Sequence, residues 1–308
     1  MTDVPSHLIA FQQRFPDEEA CAKYLFELKW PDGFCCPRCG HGQAWALRCK
    51  AHTFECTRCH HQTSVTAGTI LHATKLDLTV WFWGAWLMAS HSNGISAVQL
   101  MAELGLGSYR TAWMLLAKLR RAMVDPDRNP LKDIVEVDET SIPYRTKDDP
   151  IGGGQGRSHR AKMAIIGAVE VGGDKVGRIR LAPLKDYSAR SLHNFLGRHV
   201  ATGTKVETDG WAAYAGQPGI EHSPHVIGPM AAHAVLPWIH RIFSNLKRWG
   251  LGVYHGLRRK HLATYLDEFV FRFNRRHNRP SGFRSLFRIA MHKTHIGYEM
   301  LTAPDVRA

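Results

Sequence analysis

The apolar positions of this chain change their period partway along, from helical spacing over residues 76–123 to strand spacing over residues 134–183. Upstream, Phe15 to Trp30 opens on Pro16 and three acids and then carries apolar residues at helical intervals. That predicts a helical lead-in over residues 1–29, stopped at Pro31-Asp-Gly33. A Trp-rich helix is expected over Thr79–Ser90, a second over Ile95–Leu104, and a third over Ser108–Met123 with Ser108 as its N-cap. The stretch Asp125–Pro130 reads as a linker. Downstream, Ile134–Ile142, Ala161–Val171 and Val176–Pro183 alternate or run apolar like strands. An amphipathic helix follows at Ser188–Val200, then a strand at Lys205–Asp209 and a short helix at Trp211–Tyr214. A fifth strand is expected at His225-Val-Ile, and everything from Pro237 onward is helical.

Two of these strands end in an acid, at Asp138 and at Asp209. A buried carboxylate is costly unless it is paired or binds metal. One such strand alone suits an acid pointing to solvent; two of them could converge on a divalent cation with oxygen ligands. The order strand, strand, strand, helix, strand, helix, strand, helix is that of a ribonuclease-H-like mixed sheet, and it calls for a third ligand on the late helix. No Asp or Glu occurs between Glu221 and Asp267, so that helix has no carboxylate to give. His240 stands in its place, and Lys247 follows two helical turns along the same face, where a solvated surface lysine is the alternative reading.

The seven cysteines all precede residue 60. Cys36-Pro-Arg-Cys39 and Cys56-Thr-Arg-Cys59 have the spacing of a tetrahedral four-thiolate zinc site, and the segments between them alternate like the strands of a ribbon over residues 30–66. Cys35 and Cys49 are read as small core fillers, with His60 and His61 as lesser candidate ligands.

Charge narrows the partners. Forty Lys and Arg against 27 Asp and Glu, a net charge of +13, point to a polyanion, and nucleic acid is the usual one. The helices flanking Gly105-Leu-Gly107 suit a helix-turn-helix within residues 70–125, with Tyr109 and Arg110 opening its recognition helix; an ordinary packed pair is the alternative. Residues 148–162 form a Gly-rich basic stretch expected to be a loop near DNA. The most apolar run, Val80–Ala89, is too short to span a bilayer, and the polar N-terminus lacks a secretory signal. A soluble intracellular protein is expected.

The ribbon, Val137-Asp138-Glu139-Thr140, Thr208-Asp209-Gly210-Trp211 and the block Tyr265–Arg276 together resemble bacterial insertion-sequence transposases of the DDE superfamily with an N-terminal zinc ribbon. The resemblance implies a multidomain α/β protein: a ribbon, a helical DNA-binding region, a ribonuclease-H-like catalytic domain over 130–295 with basic C-terminal helices, and a tail over 296–308. It implies Asp138 and Asp209 as the first two metal-binding acids, His240 as the third ligand in an Asp-Asp-His variant, and Mg²⁺ or Mn²⁺ as the catalytic ions beside structural Zn²⁺. Lys247 would hold a phosphate near the scissile bond. Glu268, Arg272 and Arg275 match a Glu/Arg/Arg signature, with Glu268 paired to Arg272. Arg241, Arg248, Arg272 and Arg275 are expected at the DNA, with double-stranded element ends and target as partners. The implied assembly is a homodimer or larger, in the bacterial cytoplasm at the nucleoid and not at a membrane. The implied reaction is two-metal phosphoryl transfer, cleaving element ends and joining them to target. The missing carboxylate favours a second reading, a catalytically silent domesticated DNA-binding regulator, and a third reading is a structure-selective nuclease with the same metal core but no strand transfer.

Overall fold

A computed structural model gives the fold and describes residues 5–125, 128–143, 162–173, 175–226, 235–254 and 257–303. The Gly-rich stretch therefore lies outside the described residues, Lys162 excepted. The chain forms two compact units, one from Met1–Asp125 with Asn278–Thr302 and the other centred on Pro126–His277.

The first unit opens with two helices rather than one continuous lead-in, α1 (Leu8–Arg14) and α2 (Glu18–Lys29). Pro16 separates them, and Asp17 restarts the helix by accepting the Ala20 N–H at 2.8 Å. A three-stranded antiparallel ribbon follows, β1 (Ala44–Ala46), β2 (Thr53–Cys56) and β3 (Gln62–Ser64). Lys29 Nζ donates to the carbonyls of Ser64 and Ala67 at 2.8 and 2.6 Å, fastening the ribbon's exit to α2, and burial lowers its pKa to about 8. Next come α3 (Leu78–Ser90), α4 (Ala97–Glu103) and α5 (Tyr109–Arg121). Glu18 accepts the N–H groups of Leu78 and Thr79 at 2.8 and 2.7 Å, so a carboxylate from α2 caps α3. Gly105, at φ +60°, ends α4, and the Ser108 hydroxyl accepts the Thr111 N–H to start α5. The unit closes with two helices from the end of the chain, α9 (Pro280–His292) and α10 (Tyr298–Thr302). Phe283 and Phe287 of α9 sit in an aromatic core with Phe11, Phe15, Tyr24, Phe82 and Trp86.

That placement corrects the expected catalytic boundary at 295. The apolar stripe of α9 finds its matching surface on the helices α2, α3 and α5, so residues 278–302 belong to the first unit.

The second unit is a five-stranded mixed sheet in the order β6-β5-β4-β7-β8: β4 (Ile134–Pro143), β5 (Lys162–Gly172), β6 (Lys175–Pro183), β7 (Thr204–Thr208) and β8 (Ile220–Pro224). β4, β5 and β6 pair antiparallel, whereas β7 lies parallel to β4 and β8 parallel to β7. The expected strand at His225-Val-Ile is displaced; the pairing partner of β7 is Ile220–Pro224, and His225 follows it. One face of the sheet is covered by α6 (Ala189–His199), with Leu192, Phe195 and Leu196 over Val135, Val137 and Val206. The other carries α7 (Pro237–Tyr254) and α8 (Leu262–Asn274), packed on Ile165, Val169 and Ile179. This is the mixed-sheet α/β architecture that the element order predicts, consistent with a ribonuclease-H-like domain. Among the described residues no helix is long and apolar enough to cross a membrane.

Candidate active site

The parallel pairing of β4 with β7 decides where the two acids fall. Ile134 pairs with Lys205 and Glu136 with Glu207. The paired register ends there; Asp138 lies two residues further along β4, on the face of Glu136 by strand alternation, and Asp209 lies one residue beyond the end of β7. Asp138 is 7 % exposed, and its Oδ1 accepts the N–H of Glu139 at 2.7 Å. Asp209 heads a tight turn in which Oδ1 accepts the Trp211 N–H at 3.0 Å. Gly210 makes that turn at φ +83°, a conformation other residues rarely adopt.

Opposite the pair runs α7, where His240 Nε2 lies 3.5 Å from Asp138 Oδ2. Two features hold the helix there. Glu136 Oε2 accepts the N–H groups of Trp238 and Ile239 at 3.0 and 2.8 Å. Gly167, the cross-strand partner of Asp138, leaves room for Phe243; a Cβ there would come within 2.6 Å of the Phe243 ring. On the far face of the sheet, the Tyr214 hydroxyl donates to Glu139 Oε1 at 2.6 Å. Neither Glu136 nor Tyr214 stood out in the sequence. Glu136 obeys strand alternation like any surface acid, and its partners lie about a hundred residues away.

The remaining expected residues fall as follows. Lys247 is half-buried on α7. Arg241 is exposed with its guanidinium 4.7 Å from the Trp238 ring centre, and Arg248 is exposed and donates to Asn245 Oδ1 at 2.9 Å. Arg272 lies inside the unit, 3.7 Å from the fully buried Glu268, which also accepts the Tyr254 hydroxyl at 3.1 Å. Arg275 packs over the Phe271 ring at 3.8 Å. Tyr109 is 54 % exposed at the start of α5, and Arg110 lies 4.0 Å from the ring centre of Tyr298.

The donor sets differ in how tightly they are assembled. Among the described residues, Cys36, Cys39, Cys56 and Cys59 form the group of three or more donors gathered within 4.8 Å of one another. Their sulfurs approach to 3.6 Å across both Cys36–Cys59 and Cys39–Cys56. A tetrahedron with Zn–S bonds of about 2.3 Å has edges of about 3.8 Å, so the four thiolates fit Zn²⁺. Matching turns deliver them: Gly40 N–H bonds Cys36 O at 2.9 Å and His60 N–H bonds Cys56 O at 3.0 Å, with Gly40 and His60 both at positive φ. Burial opposes ionisation of Cys56, but the N–H groups of Cys59 and Arg58 bring its pKa down to about 6. Cys35 and Cys49 are exposed, against the expectation that they fill the core, because the small ribbon has no interior to receive them. His60 turns its Nδ1 to Glu55 Oε1 at 3.3 Å and is not among the donors gathered with the four sulfurs. The set Asp138, Asp209 and His240 is looser than the four sulfurs. Its two carboxylates and one imidazole suit an oxygen-preferring ion that also accepts nitrogen.

A mixed five-stranded sheet with Asp138 midway along β4 and Asp209 directly after the parallel neighbour β7, in a chain that also carries a four-cysteine ribbon, defines a multidomain α/β protein with a zinc ribbon. The expectation that Asp138 ends its strand is corrected, because β4 runs on to Pro143 against β5. Residues 130–274 match the ISXO2-like transposase domain, and residues 16–62 match the transposase zinc-ribbon domain. The chain belongs to the DDE-superfamily transposases of insertion sequences that carry an N-terminal zinc ribbon. It is similar to the "Uncharacterized protein in transposable element ISH50" of Halobacterium salinarum, 24 % identical over 213 residues, which cover 65 % of this chain and 70 % of that protein. Among solved structures, a chain of the simian T-cell lymphotropic virus intasome in complex with the PP2A regulatory subunit B56 gamma aligns at 15 % identity. It covers 56 % of this chain and 67 % of that one at a TM-score of 0.30.

Proposed function

We propose that this transposase binds the inverted-repeat ends of its element and catalyses metal-dependent cleavage and strand transfer through Asp138, Asp209 and His240. The observation that supports the reading is the approach of His240 Nε2 to 3.5 Å from Asp138 Oδ2, with Asp209 directly after β7, the parallel neighbour of β4. Divalent ions held by this set would activate a water or DNA 3′-hydroxyl and stabilise the leaving oxygen. Asp138 and Asp209 bind and orient, His240 completes the set, and Lys247 holds a phosphate as a point charge. Arg241 and Arg248 on the exposed face of α7, and Tyr109 with Arg110 in a helix-turn-helix, contact DNA. Arg272 and Arg275 serve the fold instead, since their guanidinium groups are committed to Glu268 and Phe271. Function at the nucleoid as a dimer or larger assembly follows from the need to bring two ends together.

The test is incubation of the full chain with candidate element ends, a target plasmid and Mg²⁺ or Mn²⁺. Both nicked ends and joined product are expected. Cleavage without joining would support a nuclease. Specific binding with neither reaction would support a silent regulator, the reading that the carboxylate-free α7 favours.

A further inference from the structure

Glu136 lies two residues before Asp138 on the same face of β4 and is 3 % exposed. A carboxylate so buried needs partners. It finds them in the first turn of α7, where the N–H groups of Trp238 and Ile239 both donate to Oε2. First-turn N–H groups have no acceptor within their own helix, and the positive end of the helix favours an anion. Glu207, its neighbour on β7, turns instead to Lys205 Nζ at 3.0 Å, so the bond to α7 is made by Glu136. The next residue on the helix is His240, 3.5 Å from Asp138. β4 thus grips the start of α7 at two successive same-face positions, once through Glu136 and once through Asp138.

We infer that Glu136 is a positioning residue for the metal site: its carboxylate fixes the first turn of α7 so that the His240 imidazole meets the ion beside Asp138. The inference rests on the proposed ligand set. It concerns reach, since one oxygen at the end of two methylenes accepts both N–H groups. Gln at 136 offers a carbonyl oxygen at the same distance without the charge. Asp keeps the charge but draws the acceptor back by one methylene.

The test uses the full chain with zinc in its ribbon, Mn²⁺ as the probe, and the parent with Glu136→Gln and Glu136→Asp. Electron paramagnetic resonance gives Mn²⁺ affinity, and electron spin-echo modulation reports a nitrogen ligand on the ion. The parent and Glu136→Gln are expected to show nitrogen coupling and affinities within about threefold of each other. Glu136→Asp should lose the coupling and bind about 10–100-fold more weakly, as loss of an orienting partner does. Retained coupling in Glu136→Asp, even with a lowered melting temperature, would reduce Glu136 to a stabilising cap. Equal loss in both variants would assign the effect to charge and overturn the inference. A parent without nitrogen coupling would instead remove His240 from the ligand set, and the inference with it.

Discussion

The hydroxyl of Tyr214 and the carboxylate of Glu139, 2.6 Å apart, tie together the segments that follow the two acids. Glu139 is the residue after Asp138, and Tyr214 closes the short helical turn that begins beyond Asp209. Burial foremost, then the carboxylates of Glu139, Asp138 and Asp209, push the Tyr214 phenol well above its ordinary range, so it remains a donor. Tyr214→Phe should destabilise the catalytic unit by about 1.5–3 kcal/mol, the usual loss for a hydrogen bond to a charged group. DNA cleavage should fall as the Asp209 turn loosens. Urea unfolding and a cleavage assay check both, and parental values in each would show that the tie does nothing.

Asp138→Asn and Asp209→Asn should each abolish cleavage and joining while leaving end binding near the parental level, because the change strips metal affinity rather than DNA affinity. His240→Ala should behave alike. His240→Glu should retain some activity with a shift from Mn²⁺ toward Mg²⁺, because a carboxylate replaces a nitrogen donor. Gel-shift and product assays run in parallel separate binding from chemistry. Substantial cleavage by either asparagine variant would misplace the site.

Cys39→Ser should unfold the ribbon. Zinc contributes roughly 10–16 kcal/mol in small finger peptides, more than a three-stranded ribbon could replace by packing. Metal analysis should find one zinc per parent chain and none in the variant, and amide exchange should show lost protection over β2 and β3. A folded ribbon without zinc would contradict this.

DNA binding should weaken steeply with salt, since thirteen Lys and Arg against two acids lie between Pro237 and Lys293. Removing Arg241 and Arg248 together should reduce the slope of log affinity against log salt by about two, near 0.9 per phosphate contact. An unchanged slope would take these two arginines off the DNA.

His199, at the end of α6, has its pKa lowered to about 4 by burial, with Arg128, Arg180 and Arg198 adding to the effect. Between pH 6.5 and 4 the unfolded chain binds a proton that the folded one refuses, so stability falls as pH falls through that window. His199→Gln should remove on the order of 2–3 kcal/mol of this acid sensitivity, seen as a flatter stability profile between those limits. A profile that keeps its slope would assign the loss to other groups.

The pattern of residues carried the sheet's element order and the ribbon cysteines, because each depends on local periodicity or fixed spacing, whereas Asp138, read as a strand end, lies midway along β4 since the pairing with β5 continues to Pro143. Other features were not legible. The third ribbon strand, Gln62-Thr-Ser64, is polar and buries mainly Thr63, so no alternation marks it. The edge strand Ile220–Pro224 lacks a clear signature, because Glu221, His222 and Ser223 follow its one strong strand former, whereas His225-Val-Ile looks more strand-like. Glu136 shows its role only once β4 and α7 are side by side. The stripe on α9 announced burial, but a stripe does not say which surface will cover it.

The return of the chain to its first unit at Asn278 also sets an order of manufacture. Phe283 and Phe287, which complete the aromatic core around Phe82, leave the ribosome after the entire catalytic sheet. Until they emerge, Phe82 lacks the two rings that pack against it from α9. A message truncated anywhere before that helix yields a product whose N-terminal core cannot close.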